Sequence, residues 1–130
     1  SLFVATNLCA EQKKQLGDWD IHYIAFNSTF LTPEVAKATN LNRNKNNAII
    51  NISVLDSNTQ QAQQVHIGGI ARNLMGQQQD LVFREIKDGD AIYYIAVMPF
   101  RNEQQFTFSL EIRQGVKRQQ LNFSQKLYTE

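Results

Sequence analysis

Cysteine is almost missing from this 130-residue chain: Cys9 stands alone, so no internal disulfide can form. Histidine is nearly as scarce. His22 and His66 are the only two, and neither has a second ligand at i+2 or i+4 on its own segment, so no metal centre is expected. Long apolar runs are absent as well; none approaches the roughly eighteen residues of a spanning helix, which excludes a membrane span within the chain as given. An excess of one charge is also lacking. Thirteen Lys and Arg against twelve Asp and Glu leave a net +1, and no broad field marks a binder of nucleic acid or anionic membrane. What replaces charge is amide: fifteen Gln and twelve Asn, dispersed rather than tracted, carry the polar surface of a chain that is only 19% charged. At this length one domain is expected, with a core large enough to need neither disulfide nor metal.

The first ten residues, Ser1 to Ala10, are mildly apolar and uncharged, and they give way at once to Glu11-Gln12-Lys13-Lys14-Gln15. That shift resembles the end of a secretory leader running into a mature chain, with Ala10 as the small residue before the cut. Leu8 is larger than the residue expected three places before cleavage, so an ordinary first strand or a disordered tail is the alternative. Cys9 falls inside this segment, and a chain beginning at Glu11 is free of thiols, which suits an oxidising compartment and a cytosol equally.

From Trp19 onward the apolar residues alternate with period two. Trp19, Ile21, Tyr23 and Ala25 predict a first strand, and Ala48, Ile50, Ile52 and Val54 a second. Between them Thr32–Thr39 reads as a short helix, since Thr32 can cap free amides, Pro33 suits the first helical position and Glu34 complements the dipole. Val65, Ile67, Gly69 and Ala71 predict a third strand, with Gly68-Gly69 marking a bulge or a close backbone approach. Leu81 and Phe83 open a fourth, which Lys87-Asp88-Gly89-Asp90 turns into Ala91 to Met98 as a hairpin. Phe106, Phe108, Leu110 and Ile112 form a sixth. Gln114-Gly115 leads into a seventh, in which Leu121, Phe123 and Leu127 point inward. About seven strands with turns roughly every ten residues predict an all-β, immunoglobulin-like antiparallel sandwich over residues 11–130, with the helix capping one end.

Motifs that carry chemistry are few. No serine is framed as Gly-x-Ser-x-Gly, and Gly68 to Gly76 lacks both the phosphate-loop lysine and the dinucleotide spacing. Arg84 and Glu85 face opposite sides of one strand, so one of them points into an apolar layer and needs a partner. Asp88 and Asp90 read as turn chemistry, and Arg43-Asn44-Lys45-Asn46-Asn47 as the densest cationic loop, a solvated loop that could also engage an anionic partner. Asn27, Asn51 and Asn122 each begin a glycosylation tripeptide, matched by chance where they fall in strands. The candidate functional surface is therefore His22, Arg43, Lys45, Arg84, Glu85 and Asp90, with no catalytic, metal or cofactor constellation.

Five segments together carry a family likeness: Gly17-Asp18-Trp19-Asp20-Ile21-His22-Tyr23, Phe30-Leu31-Thr32-Pro33-Glu34, Asn73-Leu74-Met75-Gly76-Gln77, Phe83-Arg84-Glu85-Ile86 with Asp88-Gly89-Asp90, and Phe123-Ser124-Gln125-Lys126-Leu127-Tyr128. They resemble the proteobacterial domain of unknown function 4426. That resemblance covers most of Leu16 to Tyr128 and implies an exported, periplasmic protein with no assigned catalytic residues. The leading expectation is a non-catalytic binding module that engages an envelope protein or a small ligand through an exposed sheet face, a strand edge or the Thr32 to Asn47 segment. A ligand carrier using the gap between sheets is one rival, and an enzyme assembled from His22, Arg84, Glu85 and Asp90 is the other.

Overall fold

A computed structural model describes residues 11–129. The expectation of a leader remnant, Cys9 included, lies outside those residues. Strands β1 (Gln12–Leu16), β2 (Trp19–Asn27), β3 (Asn47–Asp56), β7 (Ala91–Pro99) and β6 (Arg84–Asp88) form one antiparallel sheet in that spatial order. Strands β5 (Gln78–Val82), β4 (His66–Asn73), β8 (Gln104–Gln114) and β9 (Lys117–Leu127) form the other. With β1 set aside, the order β2-β3-β7-β6 facing β5-β4-β8-β9 is the ABED against C′CFG arrangement of an immunoglobulin-like sandwich. The expected fold is the observed one.

Alternation decides which side chains enter the gap. Trp19, Ile21, Ile50, Ile52, Phe106, Phe108, Leu110, Ile112 and Leu121 are all buried there, from both sheets. Phe108 stacks on Phe123 at 4.7 Å between ring centroids, and Tyr23 meets Phe123 at 4.6 Å. At Gly69 the backbone of β4 runs so close to Leu110 that a side chain has no room, so the Gly68-Gly69 pair marks a close approach; the register there is continuous and contains no bulge.

Nine strands replace the expected seven, for two physical reasons. β1 is almost wholly polar and exposed, so its strand state comes from pairing with β2 rather than from any pattern of its own. The fourth expected strand is two. Inward side chains continue in step through Leu81, Phe83 and Glu85, while the hydrogen-bond partner changes from β4 to β7 at Phe83, where the chain crosses between sheets. The hairpins at Gly89 and Gly115 close as expected, and β1 adds a third at Gly17; each glycine stands first in a two-residue loop, with φ of 59°, 59° and 57° respectively.

Helix α1 (Pro33–Thr39) follows a short 3-10 turn, Ser28–Phe30. Val35 N–H donates to Thr32 Oγ1 at 3.2 Å, and Asn40 closes the helix in the left-handed region. Its placement differs from the expectation. α1 lies over the outer face of the five-stranded sheet instead of capping an end, because Phe26, Ile49, Tyr93 and Ile95 make a second apolar face that Leu31, Ala36 and Leu41 cover. The chain then returns to β3 through a pinned loop. Buried Ser28 exchanges two hydrogen bonds with Asn44, and buried Asn27 donates to the carbonyls of Lys45 and Tyr128, each at 2.9 Å. Asn27 and Asn51 are 2% and 3% exposed, which removes two of the three glycosylation matches from reach.

Candidate functional site

The six candidate residues do not share a site. His22 on β2 and Glu85 on β6 are separated by β3 and β7, a backbone distance of about 14 Å at the usual strand spacing. His22 Nδ1 lies 3.3 Å from a Glu11 carboxylate oxygen. Arg43 and Lys45 sit in the loop before β3, at one end of the sandwich, and Asp90 lies in the β6–β7 turn at the other. Arg43 Nη2 donates to the Thr29 carbonyl at 3.1 Å, which fastens that loop to the 3-10 turn. Arg84 and Glu85 point to opposite faces, as expected. Arg84 reaches outward and donates to the Thr39 carbonyl at 2.6 Å, satisfying the end of α1. The convergence an enzyme built on His22, Arg84, Glu85 and Asp90 requires is therefore not present.

Glu85 faces the opening between the sheets beside the Phe83 crossing. There the buried Tyr94 hydroxyl donates to Glu85 Oε2 at 2.8 Å and accepts the Val65 N–H at 2.9 Å. Burial pushes the Tyr94 phenol up to about 12; the neighbouring Glu85 adds to the rise, and the Val65 N–H opposes it. A phenol held neutral in this way donates a hydrogen bond and is no base at neutral pH. Gln64 Nε2 approaches the same carboxylate at 3.4 Å and Lys87 Nζ at 3.9 Å, so Glu85 is already occupied. An open cleft of about 380 Å³ lies over this chain of bonds, with His66, Phe83 and Arg113 on its walls. Its polar groups brace the β3–β4 connection against β6 and β7.

A larger groove, about 460 Å³, opens at the end where β3, β5 and β8 begin and β4 and β7 finish. Its walls are Asn46, Asn47, Asn73, Gln77, Gln79 and Gln104, with Pro99, Phe100 and Arg101. Asn73 is spent on the hairpin: its Oδ1 accepts from the Met75 and Gln77 N–H groups at 3.0 and 2.9 Å, and its Nδ2 donates to Gln77 Oε1 at 2.8 Å. Gln79 uses its Nε2 on the Pro99 carbonyl, and Gln104 its Oε1 on the Arg101 N–H, each at 3.0 Å. What remains is unengaged. The side chains of Asn46, Asn47 and Arg101, Gln77 Nε2, Gln104 Nε2 and Gln79 Oε1 have no hydrogen-bond partner among the described residues. Leu74 and Met75, 80% and 84% exposed, lie in the turn between the lining residues Asn73 and Gln77. Asn46 and Asn47 close the cationic loop singled out in the sequence, whereas Asn73, Gln77, Gln79 and Gln104 were not among the expected candidates. Each is one amide in a chain that is rich in them, and only the fold assembles them.

The family model described as Domain of unknown function (DUF4426) matches residues 13–130. The chain belongs to the DUF4426 family. A crystal structure of a family member from Pseudomonas aeruginosa PAO1 is 31% identical with a TM-score of 0.78, covering 91% of this chain and 94% of that one. A comparison with curated proteins gave no match. FetP from uropathogenic Escherichia coli strain F11 shares the fold. A copper-bound variant of it matches at 11% identity and a TM-score of 0.64, over 91% of this chain and 95% of that chain. FetP as isolated, recombinantly expressed in the periplasm of E. coli BL21(DE3), matches at 10% identity and 0.64, over 92% and 95%. At such identity the likeness is one of fold alone. Among the described residues no three His, Cys, Asp or Glu side chains gather closely enough to hold a metal, and the copper stays a property of FetP. No helix among them is long and apolar enough to cross a membrane.

Proposed function

We propose that this DUF4426 protein is a non-catalytic, exported binding module of the periplasm that holds its partner in the amide groove. The observation that carries the reading is the convergence of unengaged amides and the Arg101 guanidinium on one open groove. Polar side chains with free bonding capacity in a concave site fix a ligand's orientation. The apolar gap between the sheets is filled by Trp19, Phe106, Phe108 and Leu110 from both sides, which favours a surface groove over an inter-sheet carrier. Export is supported by the sequence shift at Ala10 and by the likeness to a protein that was produced in a periplasm.

The test places a photo-crosslinking side chain at Asn47 and, as a control, at Gln120 on the far face of β9, in the full-length protein made in its own host. One partner crosslinked at Asn47, in the periplasmic fraction, and lost when Gln104 is replaced by Ala, is the expected result. Capture only at Gln120, or capture indifferent to Gln104→Ala, refutes the groove as the binding site.

A further inference from the structure

The unengaged groups of the groove also define the chemistry of what enters it, and the inference here rests on the binding reading above. Donors outnumber acceptors. Asn46, Asn47, Gln77 and Gln104 offer side-chain N–H₂ groups, while acceptor oxygens remain on Asn46, Asn47 and Gln79. Among the described residues no carboxylate lines the groove, and Arg101 is its one cation. Its guanidinium has no hydrogen bond or ion pair among the described residues, unlike Arg43, Arg72, Arg84, Arg113 and Arg118. A planar fork of five unused donors beside amide donors matches a carboxylate.

We infer that the groove binds an extended peptide segment that carries a carboxylate. A peptide main chain alternates N–H donors and C=O acceptors, which the mixed amides of Asn46, Asn47, Gln79 and Gln104 complement on the two walls. An apolar side chain of the same peptide has Leu74 and Met75 within the neighbouring Asn73–Gln77 turn, both exposed; a flexible thioether adapts to varied shapes. A saccharide is the less fitting occupant, because sugar rings stack on open aromatic faces and Phe100, the only aromatic lining the groove among the described residues, is 5% exposed.

The experiment titrates ¹⁵N-labelled protein with two hexapeptides: Ala-Leu-Ala-Leu-Ala-Glu with a free C-terminus, and Ala-Leu-Ala-Leu-Ala-Gln with a C-terminal amide. The acidic probe is expected to shift the side-chain N–H₂ signals of Asn47 and Gln104 and the Arg101 Nε–H, and to bind about tenfold tighter than the neutral one, the worth of about 1.4 kcal/mol from one charged contact. Arg101→Gln should abolish that difference and leave the weaker binding intact. Equal affinity for the two probes, a preference that survives Arg101→Gln, or no binding of either overturns the inference. Crosslinking at Asn47 separates the two levels: a Gln104-dependent partner found alongside indifferent peptides removes the acidic peptide and keeps the groove.

Discussion

Two adjacent glycines on β4 should respond to the same substitution in opposite directions. Gly69 faces the core opposite Leu110, and a Cβ placed on it collides with the Ser109 carbonyl oxygen and comes within 2.8 Å of Leu110 Cα and 2.9 Å of Leu110 Cδ2. Two of those obstacles are backbone of β8, held on its other side by the full β9 ladder, so they cannot yield without breaking inter-strand bonds. At Gly68 a Cβ meets nothing within 4 Å. Neither glycine has a positive φ. Gly68→Ala should therefore stabilise by about 0.4 to 1 kcal/mol, through a less flexible unfolded chain. Gly69→Ala should cost about 1 to 3 kcal/mol through overpacking. With a urea m-value near 1.5 kcal/mol/M, the two midpoints should lie about 1 to 2.5 M apart. The single tryptophan, Trp19, is 2% exposed in the core and reports unfolding by fluorescence. If Gly69→Ala unfolds at or above the midpoint of Gly68→Ala, the close approach of β4 to β8 is wrong.

Tyr94→Phe strands the Val65 N–H and should cost about 1 to 3 kcal/mol in the same urea assay. Because folding raises the Tyr94 phenol from 10.0 to about 12, its contribution is complete below pH 10 and fades as pH rises toward 12. Urea midpoints taken from pH 9 to 12 should accordingly fall less steeply in Tyr94→Phe than in the parent, and parallel slopes would contradict the assignment. Asp56 is held below its ordinary value by the Thr59 and then the Asn58 N–H, so its contribution is present above the ordinary carboxylate range and is lost as pH falls below it. Asp56→Asn, which keeps an acceptor for that turn, should flatten the acid arm of a stability–pH curve between pH 5 and 2, whereas an unchanged arm counts against the turn as its source.

The sandwich was legible because alternation is enforced wherever one strand face meets a core. β2, β3, β4, β8 and β9 carry it, while β7 is apolar on both faces and shows instead as an apolar run after the Lys87-Asp88-Gly89-Asp90 turn. The failures are of one physical kind. β1 has no core-facing pattern to show, since Gln12, Lys13, Lys14 and Gln15 are exposed and the strand exists by pairing alone. The crossing at Phe83 is invisible because alternation records facing and not hydrogen-bond partner, and facing runs unbroken from Leu81 to Glu85. The helix was found from its caps, yet its place over the sheet needed the outward residues Phe26, Ile49 and Ile95 to be read together across three strands. The candidate site was the least legible part. Charged residues attract attention in a sequence, and here Arg43, Arg84 and Glu85 turned out to be fastened to the fold, while the groups without partners among the described residues include Arg101 and amides at strand ends.

That contrast between fastened and free groups separates the groove from the other surfaces of the molecule. The outer face of the five-stranded sheet is covered over β2, β3 and β7 by Leu31, Ala36 and Leu41. The β9 edge is blunted by Lys14, whose ammonium reaches the Asn122 carbonyl at 3.3 Å. The outer face of the other sheet is polar and broad, but its side chains bond to one another: Thr107 with Ser124, Arg72 with Gln78, Gln120 with Asn122, and Arg113 and Arg118 with Glu111. A partner landing on that face must break bonds already made, and recovers little net free energy for each new one. At the groove the side chains of Asn46, Asn47 and Arg101 have no hydrogen-bond partner among the described residues to give up. Among the described residues the loop end carrying Arg101 is therefore a surface where a polar ligand breaks few existing bonds, and the fastened charges Arg43, Arg84 and Glu85 are poor guides to it.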